Sequence, residues 1–163
     1  MGLSVAAHGS QKLFGWFNGP GIDGFTGMLQ KMGMKPARGW AYIAALSEFG
    51  GGLAIALGFL TPFAAMAVFA AMLMAITVHM GKGFFSQTGG YEYPLLLGSV
   101  AFTLAIVGPG ILSLDALLRI NLAGTDAMVA AFLLAVAGVV LALESRRLPD
   151  RRGVAAKPVP KAS

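Results

Sequence analysis

The sequence predicts an all-α transmembrane helical bundle. Three observations carry that class: four long apolar runs, a charged fraction of only 12%, and a mean hydropathy of +0.74. A soluble domain carries about 25% charged residues, so half that fraction in a chain that is 56% hydrophobic points to lipid. The 163 residues allow four or five spans, each needing ~20 residues, but not two domains. No Ser/Pro-rich linker interrupts the chain before residue 144. The expected organisation is one bundle over residues 1–145 and a basic cytoplasmic tail without fixed structure over 146–163.

The first segment, residues 3–17, starts apolar (Leu3, Val5, Ala6, Ala7), turns polar at His8, Gln11 and Lys12, and ends on Phe14, Trp16 and Phe17. Tryptophan and phenylalanine at that boundary fit an interfacial belt. We read a shortened helix, packed in the bundle without its outer turns, and leave open a native N-terminus longer than Met1. The polar middle is unlike a secretory signal core. The next two spans are 40–60 and 62–80, separated by Thr61-Pro62, because proline cannot continue a helix but suits its first turn. A shorter span, 93–107, stops at Gly108-Pro109-Gly110. Residues 121–126 offer turn and N-cap side chains before the last span, 127–143.

Charge sets the expected orientation. Six of the twelve Lys and Arg follow residue 145, and basic residues beside a span mark the cytoplasmic side and meet anionic lipid. Alternating backwards from that tail puts Lys12, Lys31, Lys35, Arg38 and Lys82 on the same side and leaves only Arg119 outside. The net charge of +5 therefore reports topology rather than nucleic-acid binding. Small residues recur at four-residue steps (Gly50, Ala54, Gly58; Ala67, Ala71, Ala75; Ala127, Ala131, Ala135), which lets helix backbones approach closely in lipid. His79 continues the second series, so its side chain is expected to face a neighbouring helix.

The titratable groups narrow the chemistry. Glu48 lies near the middle of span 40–60, where an ionised carboxylate costs ~2.5 kcal/mol or more, so it should be protonated, paired or facing a polar cavity. It reads either as a pin for helix packing or as a proton-handling or ligand-binding group. His79 and Glu92 flank a polar segment, His79–Pro94, that is rich in glycine and aromatics. A chain turning back there can pair them, and a His–carboxylate pair tunes a proton acceptor near neutral pH. Glu48, His79 and Glu92 are thus the catalytic candidates. Gly89-Gly90 would let this loop cover a site. His8, Gln11 and Lys12 form a second polar helix face.

Aromatic residues concentrate at the same end, and a flat apolar-aromatic ligand such as a quinone would fit among them. The binding candidates are His8, Gln11, Lys12, Trp16, Tyr42, Gly51, Tyr91 and Tyr93. No cysteine is present, which removes thiol chemistry and Cys-ligated metals. No metal spacing, haem ligand pair, flavin motif or iron–sulfur spacing is found, so electrons would need a protein partner.

Five strings carry a resemblance: HGSQKLFGWFNGPG (8–21), ALSEFGGGLAIALGFLTP (45–62), HMGKGFF (79–85), GGYEYPLLL (89–97) and GPGILSLDALL (108–118). Together, over roughly residues 3–118, the chain resembles the DoxX family of small bacterial membrane proteins. The resemblance implies a four-helix core in the inner membrane, with the first helix shortened here and the run 127–143 added. It also implies an association with redox chemistry, since relatives include a subunit of an archaeal quinol oxidase and partners of redox-defence enzymes. It transfers no catalytic residue. The positions that match its pattern are His8, Gln11, Lys12, Glu48, Gly51, His79, Tyr91, Glu92 and Pro94. The expected function is a redox-linked subunit that binds a quinone-like lipid or supports proton transfer for a partner oxidoreductase. The rival is a non-catalytic scaffold docking a soluble enzyme; the expected partners are the lipid bilayer and a protein partner or further copies of the chain. A small-solute transporter is less well supported, because no inverted repeat is visible.

Overall fold

In a computed structural model, residues 1–122 and 124–148 are described. Apart from Arg146, Arg147 and Leu148, the expected basic tail lies outside them. The helices are α1 (Gly2–Phe14), α2 (Gly21–Lys31), α3 (Ala37–Leu57), α4 (Thr61–His79), α5 (Glu92–Val107), α6 (Leu114–Leu117) and α7 (Thr125–Ser145). Among the described residues there is no strand.

Three stretches are long and apolar enough to cross a membrane: α3, α4 with its following turn to Lys82, and α7. Twenty-one residues of α3 or α7 reach about 31 Å, the thickness of the hydrocarbon layer. With 16 residues, α5 reaches only about 24 Å, and α1 with 13 about 20 Å. The five expected spans thus become three of full length and two shorter helices. Leu46, Leu96, Leu133, Leu134 and Leu141 point outward and exposed, as side chains facing lipid do.

The first helix ends earlier than the expected segment 3–17. Gly15 takes a left-handed conformation (φ 74°), and residues Trp16–Asn18 turn back as one 3₁₀ turn. Residues 21–31, outside the expected spans, form α2. Its signal was legible, because Phe25 and Leu29 lie four apart and both are buried against the start of α3. Pro20 precedes the helix and Asp23 sits in its first turn, where a negative charge is favourable.

Glycine sets how closely α1 and α3 approach, but not the glycines of the expected series. A Cβ on Gly52 would come within 2.5 Å of the Ala6 nitrogen, and one on Gly2 within 2.6 Å of the Gly52 carbonyl oxygen. Gly50 faces open space instead. Successive helical residues are 100° apart, so Gly52 faces α1 while Gly51 faces α4 at Val68 and Ala64. Ala131 and Ala135 of α7 are buried with Ala65 and Met66 of α4 and Ala105 of α5, so that series does line a helix contact.

The α3–α4 hairpin turns through Gly58 (φ 63°) and Leu60 (φ 46°). Buried Asp115 closes it: Oδ1 accepts from the Leu60 N–H (2.8 Å), and Oδ2 from the Thr61 N–H (3.1 Å) and hydroxyl (3.0 Å). These are donors at a helix start that no intrahelical carbonyl can reach. At the head of α7 the residue in the cap position is Gly124, with no side-chain cap, rather than one of the polar residues expected there.

Candidate functional site

The close contact of α1 with α3 decides where the first polar face points. Lys12, one turn beyond Gly9, reaches across to Glu48, and the two form an ion pair through Lys12 Nζ and Glu48 Oε1. Glu48 is 2% exposed and Lys12 27%. The ammonium also lies 5.1 Å from the centre of the Phe25 ring, a cation–π distance. Glu48 therefore meets the sequence expectation by pairing. Its second oxygen, Oε2, is buried with no hydrogen-bond partner among the described residues.

Two cavities meet at this pair. One, about 230 Å³, lies among α2, α3, α4 and α7 and is apolar, with Met28, Met32, Met34, Met74, Trp40 and Ile43 in its wall. The other, about 380 Å³, lies among α1, α4, α5 and the loop before α5, with His8, Ser86, Tyr93 and Pro94 in its wall. Lys12, Glu48, Ala75 and His79 belong to both. A buried charge pair thus forms the partition between an apolar chamber and a polar one. Methionine suits the first, because its flexible thioether moulds to irregular ligands. The apolar chamber holds a second orphan, the indole N–H of Trp40, which is buried without an acceptor among the described residues.

The remaining sequence candidates divide. His8 and Tyr93 join the site: His8 Nε2 is 3.3 Å from the Tyr93 hydroxyl, which is also 3.3 Å from the Ser4 hydroxyl. Gln11 stands beside the site, bonded to His8 Nδ1 (3.2 Å) and to the Phe17 carbonyl (3.3 Å). Trp16 is exposed and stacks on Phe14, Tyr42 is exposed on α3, and Tyr91 meets Phe84 edge-on. Those three and Gly51 line neither cavity.

The structure does not pair His79 with Glu92. His79 Nδ1 lies 2.7 Å from the Gly89 carbonyl oxygen, while Glu92 Oε2 accepts from the Ser86 N–H and hydroxyl, both at 2.9 Å. The physical reason is the loop's own geometry. Gly89 in a left-handed conformation (φ 78°) turns its carbonyl to the imidazole, and Ser86 caps the carboxylate six residues on. Those two bonds, the backbone one first, hold the Glu92 carboxyl below the usual carboxylate range. Glu92 acts as a brace for the loop over the polar chamber.

Sequence reasoning missed three participants. Arg146, assigned to the tail, lines the apolar cavity and donates to Thr77 Oγ1 (3.3 Å) and Met34 Sδ (3.4 Å). Neither the wall methionines nor Trp40 stands out in the sequence. Periodicity gives no signal for any of them, because α2 and α7 close this cavity from distant parts of the sequence. Among the described residues no three His, Asp or Glu side chains converge as a metal site would need.

The DoxX family model matches residues 1–80, the stretch holding α1 to α4 and so Lys12, Glu48 and His79. The chain belongs to the DoxX family. The strings GGYEYPLLL and GPGILSLDALL lie beyond the matched residues. The polar cavity of this DoxX protein therefore combines family-matched residues with others, Tyr93 and Ser86, outside the match. No curated protein and no solved structure matches the chain.

Proposed function

We propose that this DoxX protein is a redox-linked subunit of the bacterial inner membrane that binds a quinone-like lipid in its methionine-lined cavity for a partner oxidoreductase. The observation that carries the reading is the buried Lys12–Glu48 pair, set between an apolar and a polar chamber, with one carboxylate oxygen unpartnered. A flat ring with polar oxygens fits that wall: the methionines enclose the apolar part, and Glu48 and Trp40 supply unmet acceptor and donor positions. The bound lipid would supply two-electron, two-proton redox chemistry, with electrons exchanged through the partner protein.

The chain's own residues do the rest. Glu48 accepts a proton at Oε2, Lys12 compensates its charge, and His79 stands on the polar side where an imidazole can pass a proton to water. His8 and Tyr93 extend hydrogen-bonding groups along that chamber towards Ser4. We place the end carrying α2, His79 and Arg146 in the cytoplasm, because Lys12, Lys31, Lys35, Arg38, Lys82, Arg146 and Arg147 gather there and Arg119 lies at the other end. The C-terminus is then cytoplasmic.

Quinone-linked electron transfer in membranes containing Glu48→Gln or His79→Ala tests the reading. Both should lower the rate at least about tenfold, the scale of a lost positioned proton-transfer group, with protein amounts unchanged. Full activity in both variants overturns it. Loss of a co-purifying soluble enzyme on deletion of residues 149–163, with those rates intact, would establish the scaffold instead.

A further inference from the structure

The two oxygens of Glu48 are not equivalent, and the difference selects among ligands. Oε1 accepts from the Lys12 ammonium, whereas Oε2 has no donor within reach and is shut off from bulk water. An ionised carboxylate can only accept, so the group that completes this site must bring an O–H or N–H. Ser47, His79 and Arg146 are in the wall of the apolar cavity, but none of them hydrogen-bonds to Oε2. Trp40 is not the donor either. Its N–H is itself unpartnered, and its Cα lies eight residues, about 12 Å, earlier along α3.

We infer that the cavity prefers a lipid head presenting a hydroxyl to Glu48 over one presenting a carbonyl. Resting on the quinone-like ligand of the preceding reading, this means the quinol form over the oxidised quinone. The two forms have nearly the same shape, so methionine packing distinguishes them little. The character of one oxygen decides: a hydroxyl donates to Oε2, whereas a carbonyl sets one acceptor against another. Lys12 is the positioning residue, because its ammonium occupies Oε1 and leaves Oε2 as the acceptor without a donor.

The test uses the purified full chain in lipid nanodiscs, titrated anaerobically with a short-chain benzoquinone and separately with its quinol, with binding read by calorimetry. The wild type should bind the quinol at least about tenfold more tightly, the scale of one hydrogen bond to a charged group. Glu48→Gln, whose amide both donates and accepts, should bring the two affinities together. If Glu48→Gln does not accumulate, the neutral pair Lys12→Met/Glu48→Gln carries the same expectation. Equal wild-type affinities, as when water from the polar chamber satisfies Oε2, overturn this inference and leave the lipid reading standing. Binding of neither form overturns both, and an undiminished preference in Glu48→Gln overturns the assignment to Glu48.

Discussion

Removing Lys12 alone should cost more stability than removing Lys12 and Glu48 together. Glu48 is 2% exposed, and Lys12 is the only partner of its carboxylate among the described residues. Lys12→Met therefore strands a buried charge, a loss of about 3–5 kcal/mol. Glu48→Gln strands the ammonium instead, but Lys12 is 27% exposed and borders the polar chamber. Its long stem can carry the charge towards water, so that loss should be only about 1–2 kcal/mol. Replacing both with neutral groups of similar volume removes the desolvation cost along with the attraction, and the double variant should fall within about 1 kcal/mol of the wild type. The cycle then gives a coupling of about 5 kcal/mol. Reversible unfolding in mixed micelles, titrated with a denaturing detergent, measures all four proteins. Single losses that add to the double loss within about 0.5 kcal/mol would refute the buried-pair reasoning.

Two further outcomes follow from the same physics. Asp115→Ala leaves the Leu60 and Thr61 N–H groups and the Thr61 hydroxyl without their acceptor; thermal unfolding in detergent should show a loss of about 2–4 kcal/mol, and under 1 kcal/mol would show that the turn re-satisfies itself. Glu92 titrates below its ordinary range when folded, so its contribution to holding the loop is present above the model-peptide value of 4.5 and is lost as pH falls through the lowered folded value. The protection of the Ser86 amide, taken against its intrinsic exchange rate at each pH, should fall across that window, and Glu92→Gln should remove that fall.

The sequence by itself determined the fold class and marked the stretches that form the three helices long and apolar enough to cross a membrane. It did so because lipid imposes a local rule: each span must satisfy its own backbone and carry apolar side chains for ~20 residues, and both demands are written in consecutive positions. For the same reason Glu48 stood out, since a carboxylate in such a run must be compensated. The partner was decided only by tertiary structure. Lys12 was legible as a polar residue, but its reach to Glu48 depends on backbone contact at Gly2, Gly9 and Gly52, thirty-six residues separating the paired side chains. The expected His79–Glu92 pair failed for a related reason. Nearness in sequence set no direction, and the loop's turn gave His79 the Gly89 carbonyl and Glu92 the Ser86 amide. The apolar chamber was the least legible part, because Met28, Trp40 and Met74 come from three helices, Arg146 follows the end of a fourth, and they become neighbours only when α2 and α7 pack on α3 and α4. Hydropathy records that each side chain is apolar or charged, whereas a cavity is a property of the space between helices.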